Sequence, residues 1–178
     1  MALKDGDIIT LDYEGRTEGV LFDTTLEKIA KKEGSIVENR VYSPITVVVG
    51  DGRLVPGLEN DLKKAKVGKT TEVKISPEDA YGPRDTKLIE TMSVSKFRRL
   101  CPNAKGFVGE EVNIDGKMGI LANVYGSRVR VDFNPGLAGK ELTFKYTVKS
   151  TIKKVDEKIK ALFNMEYPSD EDFKVDVK

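Results

Sequence analysis

The 178-residue chain is predicted to be an α+β protein, an antiparallel sheet packed on a short helix, with a small β-rich domain inserted into it. Strand-like text with a period of two alternates with turn-like text through the first 83 residues and resumes at Leu142. Between these stretches, Gly82-Pro83-Arg84-Asp85 and Asn134-Pro135-Gly136 bracket about 50 residues that carry their own hairpin pattern. The host domain is therefore read as discontinuous, 1–84 plus 134–152, with an insert at 85–133 and a helix and strand-like tail at 153–178.

In the first strand Ile9, Leu11 and Tyr13 fall on one face and Thr10, Asp12 and Glu14 on the other, the alternation of a half-buried strand. Past Phe22-Asp23 a helix is expected from about Thr25 to Lys32, with Asp23 to Thr25 as cap candidates and Gly34 as its stop. Its inward residues are Leu26, Ile29 and Ala30. The strand Ile45 to Val49 ends at Gly50-Asp51-Gly52. The short helix that follows places Leu58, Leu62 and Ala65 on the side that packs on the sheet, with Gly68 beyond its end. Thr71, Val73 and Ile75 alternate with Glu72 and Lys74 until Ser76-Pro77 stops the next strand.

Inside the insert, Val112 and Ile114 lead through an Asp115-Gly116 turn to Met118 and Ile120, and Val129, Val131 and Phe133 alternate with polar and charged neighbours. The insert reads as mostly strand. Leu142, Phe144, Tyr146 and Val148 then return the chain to the host sheet. In the tail, Val155, Ile159, Leu162 and Phe163 follow i, i+4, i+7, i+8 spacing, an amphipathic helix with a face to bury, ended by Tyr167-Pro168-Ser169. Phe173, Val175 and Val177 follow as strand text. A lone strand is unstable, so this text joins a sheet edge, mediates self-association by pairing with another copy, or opens a third domain, the last being favoured.

Composition narrows the chemistry. With 39% hydrophobic and 33% charged residues the chain can bury a core but offers no run of about 20 apolar residues for a membrane. The 30 basic residues against 29 acidic ones leave a net charge of +1, with no global field to attract nucleic acid. Histidine is absent, which removes Ser-His and Cys-His dyads and the commonest transition-metal ligand. Cys101 stands alone and is expected to be a small apolar filler; the N-terminus lacks an apolar signal region, so a reducing cytoplasm is the expected place. No metal or cofactor is expected. Gly68-Lys69-Thr70 ends like a phosphate loop but has Lys63 where the first glycine belongs, and Gly50-Asp51-Gly52 has Val55 where a dinucleotide site needs its third glycine. Lys63, Lys64 and Lys66, with Arg98 and Arg99, are read as solvent-facing.

Five local patterns rise above this background: Asp12-Tyr13-Glu14-Gly15, Phe22-Asp23-Thr24-Thr25, Gly52 to Glu59 with Val55-Pro56-Gly57-Leu58 inside it, Ser76 to Gly82 with Ala80-Tyr81-Gly82, and Leu142-Thr143-Phe144. In these, over roughly residues 3 to 152, the chain resembles FKBP-type peptidyl-prolyl isomerases. The resemblance implies an antiparallel half-barrel on a short helix. The insert after Tyr81-Gly82, closed by Asn134 and Leu137 to Lys140, resembles the SlyD-like branch with its insert-in-flap chaperone domain. The helix after Phe22-Asp23-Thr24-Thr25 resembles archaeal long-type members, and the nickel-binding histidine tail of bacterial SlyD is missing.

What the resemblance implies about the site is residue-specific. Tyr13, Phe22, Val55, Leu58 and Phe144 are expected to line a proline cup, with Ile45 and Val47 as further wall. The Val55 N–H and the Tyr81 hydroxyl are expected to hold substrate carbonyls, and Asp23 to polarise the cup near the rotating amide. Leu58 stands where small eukaryotic members have tryptophan, so ring stacking on the proline is lost. For the insert, Met92, Phe97, Leu100, Phe107, Met118 and Ile120 are candidates to bind unfolded chains, although several must also fill its own core. The partners implied are unfolded or partly folded polypeptides with X-Pro bonds, not nucleic acid or membrane. The rival function is a non-catalytic chaperone or binding module with a vestigial pocket. Amide rotation needs no proton transfer and no nucleophile, which suits a chain without imidazole.

Overall fold

In a computed structural model, which describes residues 3–167, the elements run β1 Ile8–Thr17, β2 Val20–Thr24, α1 Glu27–Lys32, β3 Ile45–Val48, α2 Pro56–Leu62, β4 Thr70–Ile75, β5 Ile89–Ser93, α3 Val94–Leu100, β6 Glu111–Ile114, β7 Lys117–Tyr125, β8 Arg128–Asp132, β9 Leu142–Ile152 and α4 Val155–Glu166. They fall into two compact units, one within Met1–Ala80 and Lys140–Lys178, the other Tyr81–Gly139. The architecture is α+β, with one antiparallel sheet in each unit.

The first unit is a five-stranded sheet in the order β2-β1-β9-β4, with β3 also on β1. β3 pairs with the first half of β1, from Ile8↔Val48 to Leu11↔Ile45, and β2 with its second half, from Glu14↔Thr24 to Thr17↔Val20. β2 is a strand that the period-two text does not announce. It arises from a two-residue hairpin in which Glu18 and Gly19 both take positive φ, 51° and 81°, the left-handed turn whose twist matches the strands it joins. Ile9, Leu11, Leu142, Tyr146 and Val148 of the sheet are buried together with Leu58 and Leu62 of α2. Alternation on the strands and i, i+4 spacing on the helix thus converge on one core.

α1 begins later than its sequence suggests. Its N-cap is Leu26, without a side-chain cap, so the capping expected of Asp23 to Thr25 does not form. Thr24 Oγ1 accepts from the Leu26 N–H, while the Asp23 carboxylate is engaged elsewhere. α4 forms where the apolar stripe predicts it, but none of its residues is fully buried: Val155 is 57% exposed and Ile159 41%. The strand text at Phe173, Val175 and Val177, and the self-association that would rest on it, lie outside the described residues. No helix among the described residues is long and apolar enough to cross a membrane.

The second unit is a four-stranded sheet, β5-β8-β7-β6, closed on one face by α3. The Asp115-Gly116 turn between β6 and β7 has both residues at positive φ, as the sequence predicts. α3 is the one α-helix of this mostly-strand unit among the described residues. Ser93 accepts from the Lys96 N–H as N-cap, and Val94, Phe97 and Leu100 repeat every three residues toward the core, a spacing too short to stand out between strands. At its ends the unit is clasped by buried Asp132, which accepts from Arg84 Nε at 2.6 Å and from the Asn134 backbone and side chain at 2.8 Å. Burial opposes the Asp132 charge, and the bonds from Asn134 and Arg84 outweigh it, holding the carboxyl below its usual range.

Gly15 is a tight sequence constraint within β1. A Cβ there would lie 2.6 Å from Phe22 Cζ and 3.1 Å from Phe144 Cε1. Gly15→Ala is expected to destabilise the protein by about 1–3 kcal/mol, the usual cost of overpacking, read as a lower urea midpoint with an unchanged slope.

Candidate functional site

β1, β2 and β9 bring three rings together. Phe22 meets Phe144 edge to face, with centroids 5.7 Å apart and planes at 87°, and Tyr13 leans on Phe144 at 6.1 Å and 51°. Edge-to-face contact aligns the positive edge of one ring with the negative face of the other, so the three define a firm apolar surface. The placement follows from register: Gly15 pairs with Phe144 across β1 and β9, and Tyr13 with Tyr146, putting all four positions on one face. Leu58 is buried on α2, and Phe144 is nearly so.

A polar chain runs beside the rings. The Tyr13 hydroxyl donates to Asp23 Oδ2 at 2.5 Å, and Arg40 Nη1 pairs with Asp23 Oδ1 at 2.7 Å, an oxygen that also accepts from the Thr24 N–H at 2.9 Å. Arg40 in turn lies over the Tyr42 ring, 5.3 Å from its centroid. The corner is braced by Thr24 and Thr25, whose hydroxyls bond the Tyr13 carbonyl and accept from its N–H. Asp23 thus bonds beside the rings, not at a helix end. Burial, then the hydrogen bond and charge of Asp23, push the Tyr13 hydroxyl well above its ordinary 10.0.

Val55 is the N-cap of α2, extended at φ −62° and ψ 140°, and its N–H makes no hydrogen bond among the described residues. Ile45 and Val47 line a groove of about 780 Å³ with Val41, Pro44, Leu54 and, from α4, Asn164 and Met165. Tyr81 opens the second unit and is 48% exposed. Five expected cup residues therefore have defined places in the first unit's sheet and α2, and three of them share direct ring contacts. Sequence reasoning missed Arg40 and Tyr42. They sit in an exposed stretch without regular structure between α1 and β3, where no periodicity marks a functional side chain.

In the second unit the candidates divide. Met92 and Phe97 are buried in the unit's own core, and Leu100, half-buried, packs against it. A unit of this size needs its larger apolar side chains inside. Phe107, Met118 and Ile120 are exposed at 56%, 59% and 37%. Val108, Val124 and Tyr125 join them on the surface, the last two just past the β7 register shift between Leu121 and Asn123 that breaks strand alternation.

Known proteins match this arrangement. The profile of FKBP-type peptidyl-prolyl cis-trans isomerases matches residues 1–98, and the profile described as FKBP26, IF domain, matches residues 93–137. A short-type peptidyl-prolyl cis-trans isomerase from Methanocaldococcus jannaschii is 34% identical over 83% of this chain and 91% of its own length. The FKBP-type isomerases SlyD of Pasteurella multocida and Treponema pallidum are 30% and 31% identical, covering 89% and 76% of this chain and 74% and 78% of theirs.

Because the folded state holds the Tyr13 proton above pH 10 and the unfolded state does not, Tyr13 stabilises the fold fully below about pH 10 and loses that contribution as pH rises further. The urea midpoint of the wild type is expected to fall between about pH 9.5 and 11.5, and to fall less in Tyr13→Phe, with Tyr146 supplying the remaining slope.

Proposed function

The chain belongs to the FKBP-type peptidyl-prolyl cis-trans isomerases, of the SlyD-like kind with an inserted domain, and from that premise we propose how its residues divide the work. Tyr13, Phe22, Val55, Leu58 and Phe144 form the proline cup, Asp23 acts on the twisting amide, and the inserted unit captures unfolded chains and feeds X-Pro segments to the isomerase. The ring cluster with the Tyr13–Asp23–Arg40 chain beside it is the observation that carries this reading.

The barrier to X-Pro rotation is about 18–20 kcal/mol because amide resonance spreads charge onto the carbonyl oxygen and holds the bond planar. As the bond twists, resonance is lost, the carbonyl becomes less polar and the nitrogen regains its lone pair. A dry apolar wall of Phe22 and Phe144 favours the less polar twisted form over the planar one. Lowering the barrier by about 4 kcal/mol gives roughly a thousandfold acceleration. Arg40 and the Tyr13 hydroxyl fix the Asp23 carboxylate in place, so its field is set before substrate enters. The unbonded Val55 N–H supplies a donor for a substrate carbonyl and holds the peptide while the bond turns.

The inserted unit offers Phe107, Val108, Met118 and Ile120 as apolar surface. The segment of Phe107 and Val108 is tied to β7 by Gly109 N–H to Leu121 O and Leu121 N–H to Glu110 O, both 2.8 Å, so these side chains stand near those of β7. Such a patch on a small unit fits an extended apolar polypeptide segment, and the flexible Met118 tolerates many sequences.

Cis/trans exchange of an X-Pro tetrapeptide should be accelerated by the whole chain, and Tyr13→Ala or Phe22→Ala should reduce kcat/KM by about tenfold or more. A folded wild type without acceleration would leave the binding module as the function. Asp23→Ala is expected to lower turnover more than peptide affinity, since only differential stabilisation changes a barrier. Replacing residues 85–133 by a short loop should preserve tetrapeptide turnover and depress catalysis of a proline-limited refolding reaction. Equal losses on both substrates would refute the division of labour.

A further inference from the structure

Among the described residues, a side-chain hydrogen bond ties α2 to the sheet. Tyr146 on β9 is 1% exposed, and its hydroxyl donates to Asp61 Oδ2 on α2 at 2.7 Å. The alternating core residues of β9 are otherwise Leu142, Phe144 and Val148, so packing alone asks only for an apolar side chain there. A buried hydroxyl instead demands a partner in a defined direction. Thr71 stands opposite Tyr146 across the ladder on β4.

The two ends of this bond are the two supports of the cup. Asp61 follows Leu58 by three residues and precedes Leu62, so the three share one face of α2. Val55 caps the same helix one turn earlier. Tyr146 is two residues from Phe144, on the same face of β9, and pairs across the ladder with Tyr13. We propose that Asp61 and Tyr146 are a positioning pair for the isomerisation: their bond sets Leu58 and Val55 on α2 against Phe144 and Tyr13 on the sheet. Apolar packing leaves a short helix free to slide and rotate on a sheet by small amounts, whereas a directed bond at its inner face removes that freedom. A cup that works by shape depends on such placement more than one that works by a reactive group. The proposal rests on the cup reading above and adds the residues that hold the cup in register.

The test pairs turnover with nuclear magnetic resonance of the substrate-free full chain. Tyr146→Phe is expected to keep the fold, to lower kcat on an X-Pro tetrapeptide about three- to tenfold with little change in KM, and to shift the Leu58 methyl and Val55 amide resonances. Asp61→Ala should match it, the double variant should add nothing further, and Asp61→Asn, whose amide oxygen still accepts the hydroxyl, should recover most of the lost turnover. A loss of stability alone would leave the kcat of the folded protein unchanged. The proposal is overturned if Tyr146→Phe leaves both resonances and turnover as in the wild type, or if Asp61→Asn is as impaired as Asp61→Ala. Should the wild type show no turnover, the cup reading falls, and the Leu58 and Val55 resonances across the same variants still decide whether the pair sets α2 on the sheet.

Discussion

The ladder between β1 and β9 pairs Ile8 with Ile152 at one end and Arg16 with Thr143 at the other, joining segments roughly 130 residues apart. Each remaining strand of the first sheet hangs on one of these two: β2 and β3 on β1, and β4 on β9. The ladder also places Tyr13 and Gly15 opposite Tyr146 and Phe144, so the ring cluster forms only once these two distant strands have paired. The entropy of closing so long a loop grows only slowly with its length, which is why an insert of this size is tolerated. It is tolerated better because the second unit folds its own core around Met92, Phe97, Leu121 and Val131, and its ends are held close by Arg84, Asp132 and Asn134.

How much of this the sequence reveals depends on where the information lies. Alternation marks β1, β4 and β9 because each has one face more buried than the other, and the spacing of Leu58, Leu62 and Ala65 marks α2 for the same reason. β2 escapes because Val20 is exposed while Leu21 and Phe22 are both half-buried, which erases the period. α3 escapes because seven residues give fewer than two turns of pattern. Aromatic members of the cup are legible through local motifs, but Arg40 is not. Its role is fixed by where a loop without period returns to Asp23, a fact of three-dimensional placement that no local pattern carries.

For Asp23 the sequence offers two readings, a helix cap and a polar partner of the rings. A carboxylate just before a helix is a good capping candidate, and its Thr24-Thr25 neighbours strengthen that reading. In the structure one oxygen accepts from Tyr13 and the other from Arg40 and the Thr24 N–H, leaving the first turn of α1 without a side-chain cap. A cap contributes about 1 kcal/mol, and a partly buried carboxylate with a cation and a tyrosine hydroxyl within hydrogen-bond distance gains more by staying with them. The helix is left with weak local support, and Glu27–Lys31 across one turn is a modest substitute.

Isomerisation makes no bond, so a catalyst of this kind has nothing to supply but a shaped and desolvated surface held still. Two glycines illustrate what that requires. Gly15 leaves room for Phe22 and Phe144 to lie against the strand, and Gly57 lets α2 approach β4 so closely that a Cβ would stand 2.4 Å from Ile75 Cγ2. Both are absences of side chain that determine where Phe22, Phe144 and Leu58 sit. The tyrosine–aspartate bonds complete the same task from the polar side, one fixing the carboxylate beside the rings and one fixing the helix beneath them. In a chain without histidine, the proposed cup depends on these placements, and a displacement of α2 by about one ångström is expected to lower its turnover.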